Sequence, residues 1–212
     1  MRRRTRSIVL LGTAALVLAG CAAEPSDETE VNPAQEPPET TGQETDDGRS
    51  DGSAITLSDT GGGEVGTVTF SEVDGGTEVS LEVQGLDQGF YGFHIHGTGL
   101  CEPDSAAPDD PTSTGAFLSA GGHLGSDEAD HPMHRGDLPS LYVTASGEGW
   151  LTTVTDGFTV EELTDEDGSA VMLHSGPDNF ANVPERYAPD GPDEDTLNTG
   201  DAGPRLACGV VE

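Results

Sequence analysis

The chain has 212 residues and carries 40 Asp and Glu against eight Arg and no lysine, for a formal net charge of −32 at pH 7. A surface that acidic excludes nucleic acid and an anionic membrane surface as electrostatic partners.

The chain opens with Arg2, Arg3, Arg4 and Arg6, then an apolar run from Ile8 to Leu18, then Ala19-Gly20-Cys21. A basic start, a short apolar stretch and small residues at its end make residues 1–21 an export signal. The run is too short for a membrane span. Leu18-Ala19-Gly20-Cys21 resembles a bacterial lipobox, which implies lipidation at Cys21 and a mature protein held on the outer side of the cell membrane. The alternative is an ordinary secretory signal in which Cys21 is incidental. Either way the four early arginines leave with the signal, so four (Arg49, Arg135, Arg186 and Arg205) face all 40 acids. Residues 22–53 are Glu, Asp, Pro, Thr, Ser and Gly with almost no apolar side chains. Such a stretch cannot offset its ordering entropy by burial, so a disordered acidic linker is expected. Residues 54–212 suit a single domain.

From Ala54 onward the apolar pattern has period two. Strands are expected at Ala54–Leu57, Thr67–Phe70 and Val79–Val83, the last two joined by the hairpin signal Asp74-Gly75-Gly76. Further strands are expected at Phe90–His96, Ala116–Ala120, Leu141–Ala145, Trp150–Thr155, Ser169–His174 and Leu206–Val211, with one helical turn within Phe158–Leu163. Many short strands separated by Gly, Pro, Asp and Ser, with no long helical period, indicate an all-β antiparallel sandwich or barrel. Two long segments break the rhythm, Gly97–Asp137 and Ser175–Arg205, and loops of that length are usually functional.

Cysteines number three. With Cys21 lipidated, Cys101 and Cys208 remain in an oxidising compartment, where a disulfide between them is expected; two buried free thiols are the alternative.

All six histidines fall in one ordered pattern: His94 and His96, then His123, His131 and His134 with Asp137 close behind, and finally His174 with Asp178. Neutral imidazole is the commonest protein ligand for copper and zinc. His94 and His96 are two apart on an expected strand, so both leave the same face. His174 ends another strand and can add a third nitrogen. The span His123–Asp137 offers three imidazoles and a carboxylate, enough for a tetrahedral zinc site. The pattern marks a metalloprotein with more than one metal ion.

Four motifs give that pattern a family. Gly92-Phe93-His94-Ile95-His96-Gly97 with Cys101 following, Ser119-Ala120-Gly121-Gly122-His123, His134-Arg135-Gly136-Asp137-Leu138-Pro139, and Gly200-Asp201-Ala202-Gly203-Pro204-Arg205-Leu206-Ala207-Cys208-Gly209-Val210 stand in this order. Together they resemble the signatures of the copper–zinc superoxide dismutases, over the chain from Ala54 to its end. Gly176-Pro177-Asp178-Asn179-Phe180 is similar to exported bacterial members, notably actinobacterial lipoproteins. The resemblance implies a Greek-key β-barrel and the disproportionation of superoxide to oxygen and hydrogen peroxide. It implies copper on His94, His96, His123 and His174, and zinc on His123, His131, His134 and Asp137, with His123 bridging the two. It further implies that Asp178 bonds one ligand of each ion, that Cys101 and Cys208 form the family's disulfide, and that Arg205 stands beside the open copper position with Thr199 in the channel. Only Pro132 and Met133 separate His131 from His134, and the segment Cys101–Thr114 is long and acidic. Two other classes fit the ligands alone: a copper-buffering lipoprotein without turnover, and an adhesion or structural sandwich with a structural metal. Metal analysis with a dismutase assay separates all three.

Overall fold

A computed structural model describes residues 54–212; the expected signal, Cys21 and the linker lie outside the described residues. The first three strands, β1 (Ile55–Asp59), β2 (Glu64–Val73) and β3 (Gly76–Val83), form a meander. The expected hairpin between β2 and β3 turns on Asp74 and Gly75, with Val73 facing Gly76. Gly75 takes a φ of +96° there, a conformation that only glycine adopts freely.

Expected strand Phe90–His96 is present but broken at Gly92 into β4 (Gly89–Tyr91) and β5 (Phe93–His96). Two-residue strands β6 (Ser105–Ala106) and β7 (Thr114–Gly115) pair within the first long loop. The chain returns through β8 (Leu141–Val143), β9 (Gly149–Thr155), β10 (Ser169–His174) and β11 (Arg205–Val211). The order across the sheet is β4-β8-β9-β3-β2-β1-β11-β10-β5, every pairing antiparallel. Its two outermost members, β4 and β5, are consecutive in the chain. The sheet therefore curls until its ends meet at Gly92, giving a nearly closed Greek-key barrel. Gly92 N–H donates to the Gly176 carbonyl at 2.7 Å, and His174 N–H donates to the Gly92 carbonyl at 2.8 Å. A Cβ at residue 92 would come within 2.5 Å of the Ala202 side chain, so the close approach requires glycine.

Alternation fills the interior. Leu57, Val68, Phe70, Val79, Leu81, Phe93, Ile95, Val171 and Leu173 are buried in one cluster, the feature that dominates the folding free energy. The expected helical turn is α1 (Val160–Leu163), capped by a reciprocal pair: Glu162 N–H donates to Thr159 Oγ1, and Thr159 N–H to Glu162 Oε2. A second helix, α2 (Glu194–Thr199), stands inside the second long segment, where only loop is expected.

One expected strand is wrong. Ala116–Ala120 is no strand: Leu118–Ala120 make a 3-10 turn entered through Phe117 at φ +57°. The apolar residues there pack against the outside of the barrel, where Phe117 and Ala120 form a small second cluster with Ala170, Met172 and Cys208. This explains why all six residues of β10 are buried. One face fills the barrel and the other lies under the first long loop. The Cys101–Cys208 disulfide fastens that loop to β11, with the Cα atoms 5.7 Å apart and a sequence separation of 107.

Candidate metal centre

On β5, Phe93 and Ile95 enter the barrel, which sends His94 and His96 to the outer face. Register with β10 sets Met172 opposite His94 and Ala170 opposite His96, so His174 emerges on the same outer face. Its ring centroid is 4.9 Å from that of His94. The free edge of β5 is taken by the first long loop. Ile95 N–H donates to the Gly136 carbonyl at 2.9 Å, Leu124 N–H to the Ile95 carbonyl at 2.8 Å and Gly97 N–H to the Gly122 carbonyl at 3.0 Å. These strand-like contacts place His123 beside His96 and Asp137 beside His94. A Cβ at Gly136 would overlap the Ile95 carbonyl, so this docking also needs glycine.

Donor atoms of His94, His96, His123 and His174 all lie within 4.8 Å of one another, and all four residues are buried. Hydrogen bonds fix which nitrogen of each ring keeps a lone pair. His94 Nε2–H donates to Asp178 at 2.7 Å, His96 Nδ1–H to the Gly121 carbonyl at 2.8 Å and His174 Nδ1–H to the Gly203 carbonyl at 3.0 Å. What remains are His94 Nδ1, His96 Nε2, His174 Nε2 and His123 Nε2, each buried without a protein partner. A buried polar group left unsatisfied costs about 1–3 kcal/mol, so four converging lone pairs fit a bound cation and little else. Burial, then the neighbouring His94, depresses the His174 pKa to about 3. Burial lowers that of His123 to about 4, against the pull of Asp137. His96 is pushed well below the usual range by burial, then by Arg205. These three rings stay neutral, the form that binds metal.

A second set meets the first at His123. Asp137 stands 2.7 Å from His123 Nδ1, 2.9 Å from His131 Nδ1 and 3.2 Å from His134 Nδ1. The 2.9 Å contact is close but not aligned as a hydrogen bond, and His131 Nδ1 has no such partner. His94 also has a donor atom within 4.8 Å of this group. Its Nε2 is already committed to Asp178 and its free Nδ1 belongs to the first set, so His134 is the better fourth member. His134 Nε2, like one nitrogen of every other ring, is buried without a partner, while its Nδ1 faces Asp137 at 3.2 Å and His123 Nδ1 at 3.3 Å. The two sets are joined by Asp178, whose Oδ2 accepts from His94 and whose Oδ1 accepts from His131 Nε2 at 2.9 Å. Burial works against ionisation of both carboxylates, but the histidine hydrogen bonds outweigh it and hold Asp137 and Asp178 well below the usual range. For His131 burial again opposes the charged form, and the two carboxylates push its pKa up to about 9.

The first set opens onto a cleft of 840 Å³, lined by His96, His123, His174 and Arg205 together with the acidic Asp109, Asp195 and Asp201. Arg205 is the only Arg or Lys in that lining. Its guanidinium donates to the carbonyls of Phe117 and Gly121. Burial lowers its pKa to about 10, which leaves it charged at neutral pH. Thr199 also lines the cleft, with its hydroxyl donating back to the Asp195 carbonyl of α2.

The structure thus brings every histidine, Asp137, Asp178, Thr199 and Arg205 to one place, and pairs Cys101 with Cys208. Sequence reasoning missed the carbonyls of Phe117 and Gly121, the acidic lining, and the α2 residues at the rim. The helix itself had a readable signal: Asp193 caps it by accepting from Thr196 N–H, and Gly200 ends it at φ +60°.

The family model for copper/zinc superoxide dismutase (SODC) matches residues 64–211. A copper–zinc superoxide dismutase of Mycolicibacterium paratuberculosis is 46% identical over 158 residues, covering 71% of this chain and 69% of that protein. One of Mycobacterium tuberculosis is 44% identical over 164 residues, covering 74% and 68%. Among solved structures, the Cu/Zn superoxide dismutase from Brucella abortus superposes with a TM-score of 0.57 at 29% identity, covering 76% of this chain and 99% of that one.

Proposed function

The chain belongs to the copper/zinc superoxide dismutase family, and from that premise we propose that it converts two superoxide ions and two protons into dioxygen and hydrogen peroxide at the buried histidine cluster. The observation that carries this is the convergence of four buried, unpartnered imidazole nitrogens beside an arginine at the floor of an open cleft.

Copper would be held by His94 Nδ1, His96 Nε2, His123 Nε2 and His174 Nε2, and zinc by His123, His131, His134 and Asp137. When bound, copper supplies the one-electron redox couple, which zinc lacks. The chain's own residues do the rest. Asp178, Gly121 and Gly203 fix the imidazole tautomers, so that the bare nitrogens face one point. His123 presents Nε2 to one set and Nδ1 to the other, so its ring would be shared between the two ions, and its Nε2 would hold a proton whenever it is not holding copper. Arg205 draws the anionic substrate into the cleft and orients it.

Metal analysis and a dismutase assay on the purified protein test the proposal. One copper and one zinc per chain are expected, with activity lost on chelation and restored by copper. His96→Ala should abolish copper binding and turnover while the far-ultraviolet circular dichroism of the barrel is kept. Copper uptake with no turnover would make the protein a copper buffer instead.

We further infer export and anchoring through lipid on Cys21, which places the domain outside the cytoplasm on the membrane surface. Support comes from the residues of the 1–21 segment and from the Cys101–Cys208 bridge, a linkage of oxidising compartments. Cys21→Ser should release the protein from the membrane fraction or stall its processing. A processed variant that stays membrane-bound would rule the anchor out.

A further inference from the structure

Asp178 is the one carboxylate that touches both sets of ligands, and its side chain is fully buried together with that of His131. Two features of the chain close around their hydrogen bond. The first is strained backbone: Phe180 and Ala181 are consecutive non-glycine residues at φ +54° and +50°. Bulky residues avoid that region, and where they persist in it the surroundings enforce the conformation. Here Phe180 N–H donates to Asp178 Oδ1 at 2.7 Å, the same oxygen that receives His131 Nε2–H. The resulting turn lays the Phe180 ring nearly parallel to the His131 imidazole, with centroids 6.2 Å apart and planes 18° apart. Phe180 is itself 39% exposed, so it stands between solvent and a ring that is only 2% exposed.

The second feature is Gly200, the left-handed cap of α2. A Cβ there would overlap Asp178 Oδ1 and come within 2.5 Å of His131 Nε2. The glycine backbone therefore lies directly against the hydrogen bond. It is held there because Asn179 N–H donates to the Gly200 carbonyl at 2.8 Å and His131 N–H donates to the Leu197 carbonyl at 2.7 Å.

We propose that Phe180 and Gly200 are positioning residues that clamp the Asp178–His131 hydrogen bond from two sides, keeping water from it and keeping His131 Nδ1 aimed at the zinc position. The proposal rests on the zinc assignment above for its consequence, and on this geometry alone for the clamp. A bond shielded from water is strengthened by the low local dielectric, and partners of this kind tune metal affinity on the order of 10- to 100-fold. The Phe180 ring lies nearly parallel to the imidazole assigned to zinc, so the effect falls on zinc before copper.

Full-length protein carrying Phe180→Gly, Phe180→Tyr or Gly200→Ala provides the test. Zinc release to a chromophoric chelator should be on the order of 10- to 100-fold faster in F180G and G200A than in wild type, and unchanged in F180Y, which keeps the ring. The visible spectrum of bound copper should change little in F180G. Equal zinc release in F180G and wild type, or F180Y behaving as F180G, overturns the proposal. The Phe180 pair decides the matter by itself, even where the Gly200 variant fails to fold. In metal-free protein, solvent exchange of the His131 Nε2 proton by NMR should be faster in F180G than in wild type or F180Y. Equal exchange in all three overturns the clamp even if zinc binds. A wild type that binds no zinc would refute the zinc assignment, and the exchange rates would still decide the clamp.

Discussion

Arg205 and His96 are hydrogen-bonded to the same carbonyl oxygen, that of Gly121. The one arginine lining the cleft and a ring of the first histidine set thus share one backbone anchor. Gly121 holds it at φ +71°, at the end of the 3-10 turn. Arg205→Ala should lower the second-order rate of dismutation by at least about tenfold, the lower end of what a focused local field contributes. Arg205→Lys should recover only part of it, because an ammonium cannot fork to both Phe117 and Gly121 as the planar guanidinium does. Pulse radiolysis of the copper-loaded variants measures both, and an unchanged rate in Arg205→Ala would remove the residue from the mechanism.

Salt dependence should run opposite to that of an enzyme steered by many cations. Asp109, Asp195 and Asp201 line the cleft with Arg205 as its only Arg or Lys, and the whole chain is strongly acidic. The screening length falls from roughly 30 Å at 0.01 M to about 3 Å at 1 M salt. Added salt therefore removes the long-range repulsion of superoxide before it weakens contact with Arg205. The rate of the wild type should stay flat or rise with ionic strength, whereas a steep monotonic fall would reveal an attractive field beyond Arg205.

Metal-free protein should be most stable near neutral pH and weaken on either side. His123 and His174 have folded pKa values of about 4 and about 3. Below the ordinary value of about 6.5 the unfolded chain binds protons that these folded rings refuse, so stability falls as the pH drops toward 4. His131 has its folded pKa raised to about 9. Its contribution is complete below about 6.5 and is lost as the pH rises through 9. Calorimetric melting temperatures across pH 4 to 10 should trace this dome, falling as the pH drops below about 6.5 and again as it rises toward about 9. Saturating zinc should flatten the alkaline arm, because the ion replaces the proton on His131. An alkaline arm that persists with zinc would place the ion elsewhere.

Removal of the disulfide should cost stability and loosen the cleft together. In the chain-entropy model a bridge closing a loop of this length contributes about 4–5 kcal/mol, which corresponds to a fall of about 10–20 °C in melting temperature for a domain of this size. The same bridge fastens the loop that carries the Phe117 and Gly121 carbonyls holding Arg205. Cys101→Ser with Cys208→Ser should therefore melt earlier and turn over more slowly at temperatures where the barrel is still folded. Unchanged activity in that window would separate the bridge from the positioning of Arg205.

Local order was legible wherever a short-range rule governs it. Alternation marked the strands, Asp74-Gly75 the hairpin, and the spacing of His94 and His96 their common face. Ala116–Ala120 misled because an apolar run says that residues are buried and not which neighbour buries them; these pack on the outside of β10 and β11 and turn the Phe117 carbonyl to Arg205. Helix α2 escaped because it buries only Thr196 and so lacks an apolar stripe.

The six histidines, the two aspartates, the cysteine pair and Arg205 were set by the sequence itself, since motif and spacing depend on nothing beyond the chain. Tertiary structure alone decided how they meet. β5 lies beside β10 because the sheet curls closed at Gly92, and the first long loop reaches the free edge of β5 because Gly136 leaves room for the Ile95 carbonyl. The choice of bare nitrogen on each ring, the acidity of the cleft and the approach of Phe180 and Gly200 to Asp178 were likewise decided by tertiary contacts. They join residues far apart in the chain, and no local periodicity encodes a partner that only folding brings near.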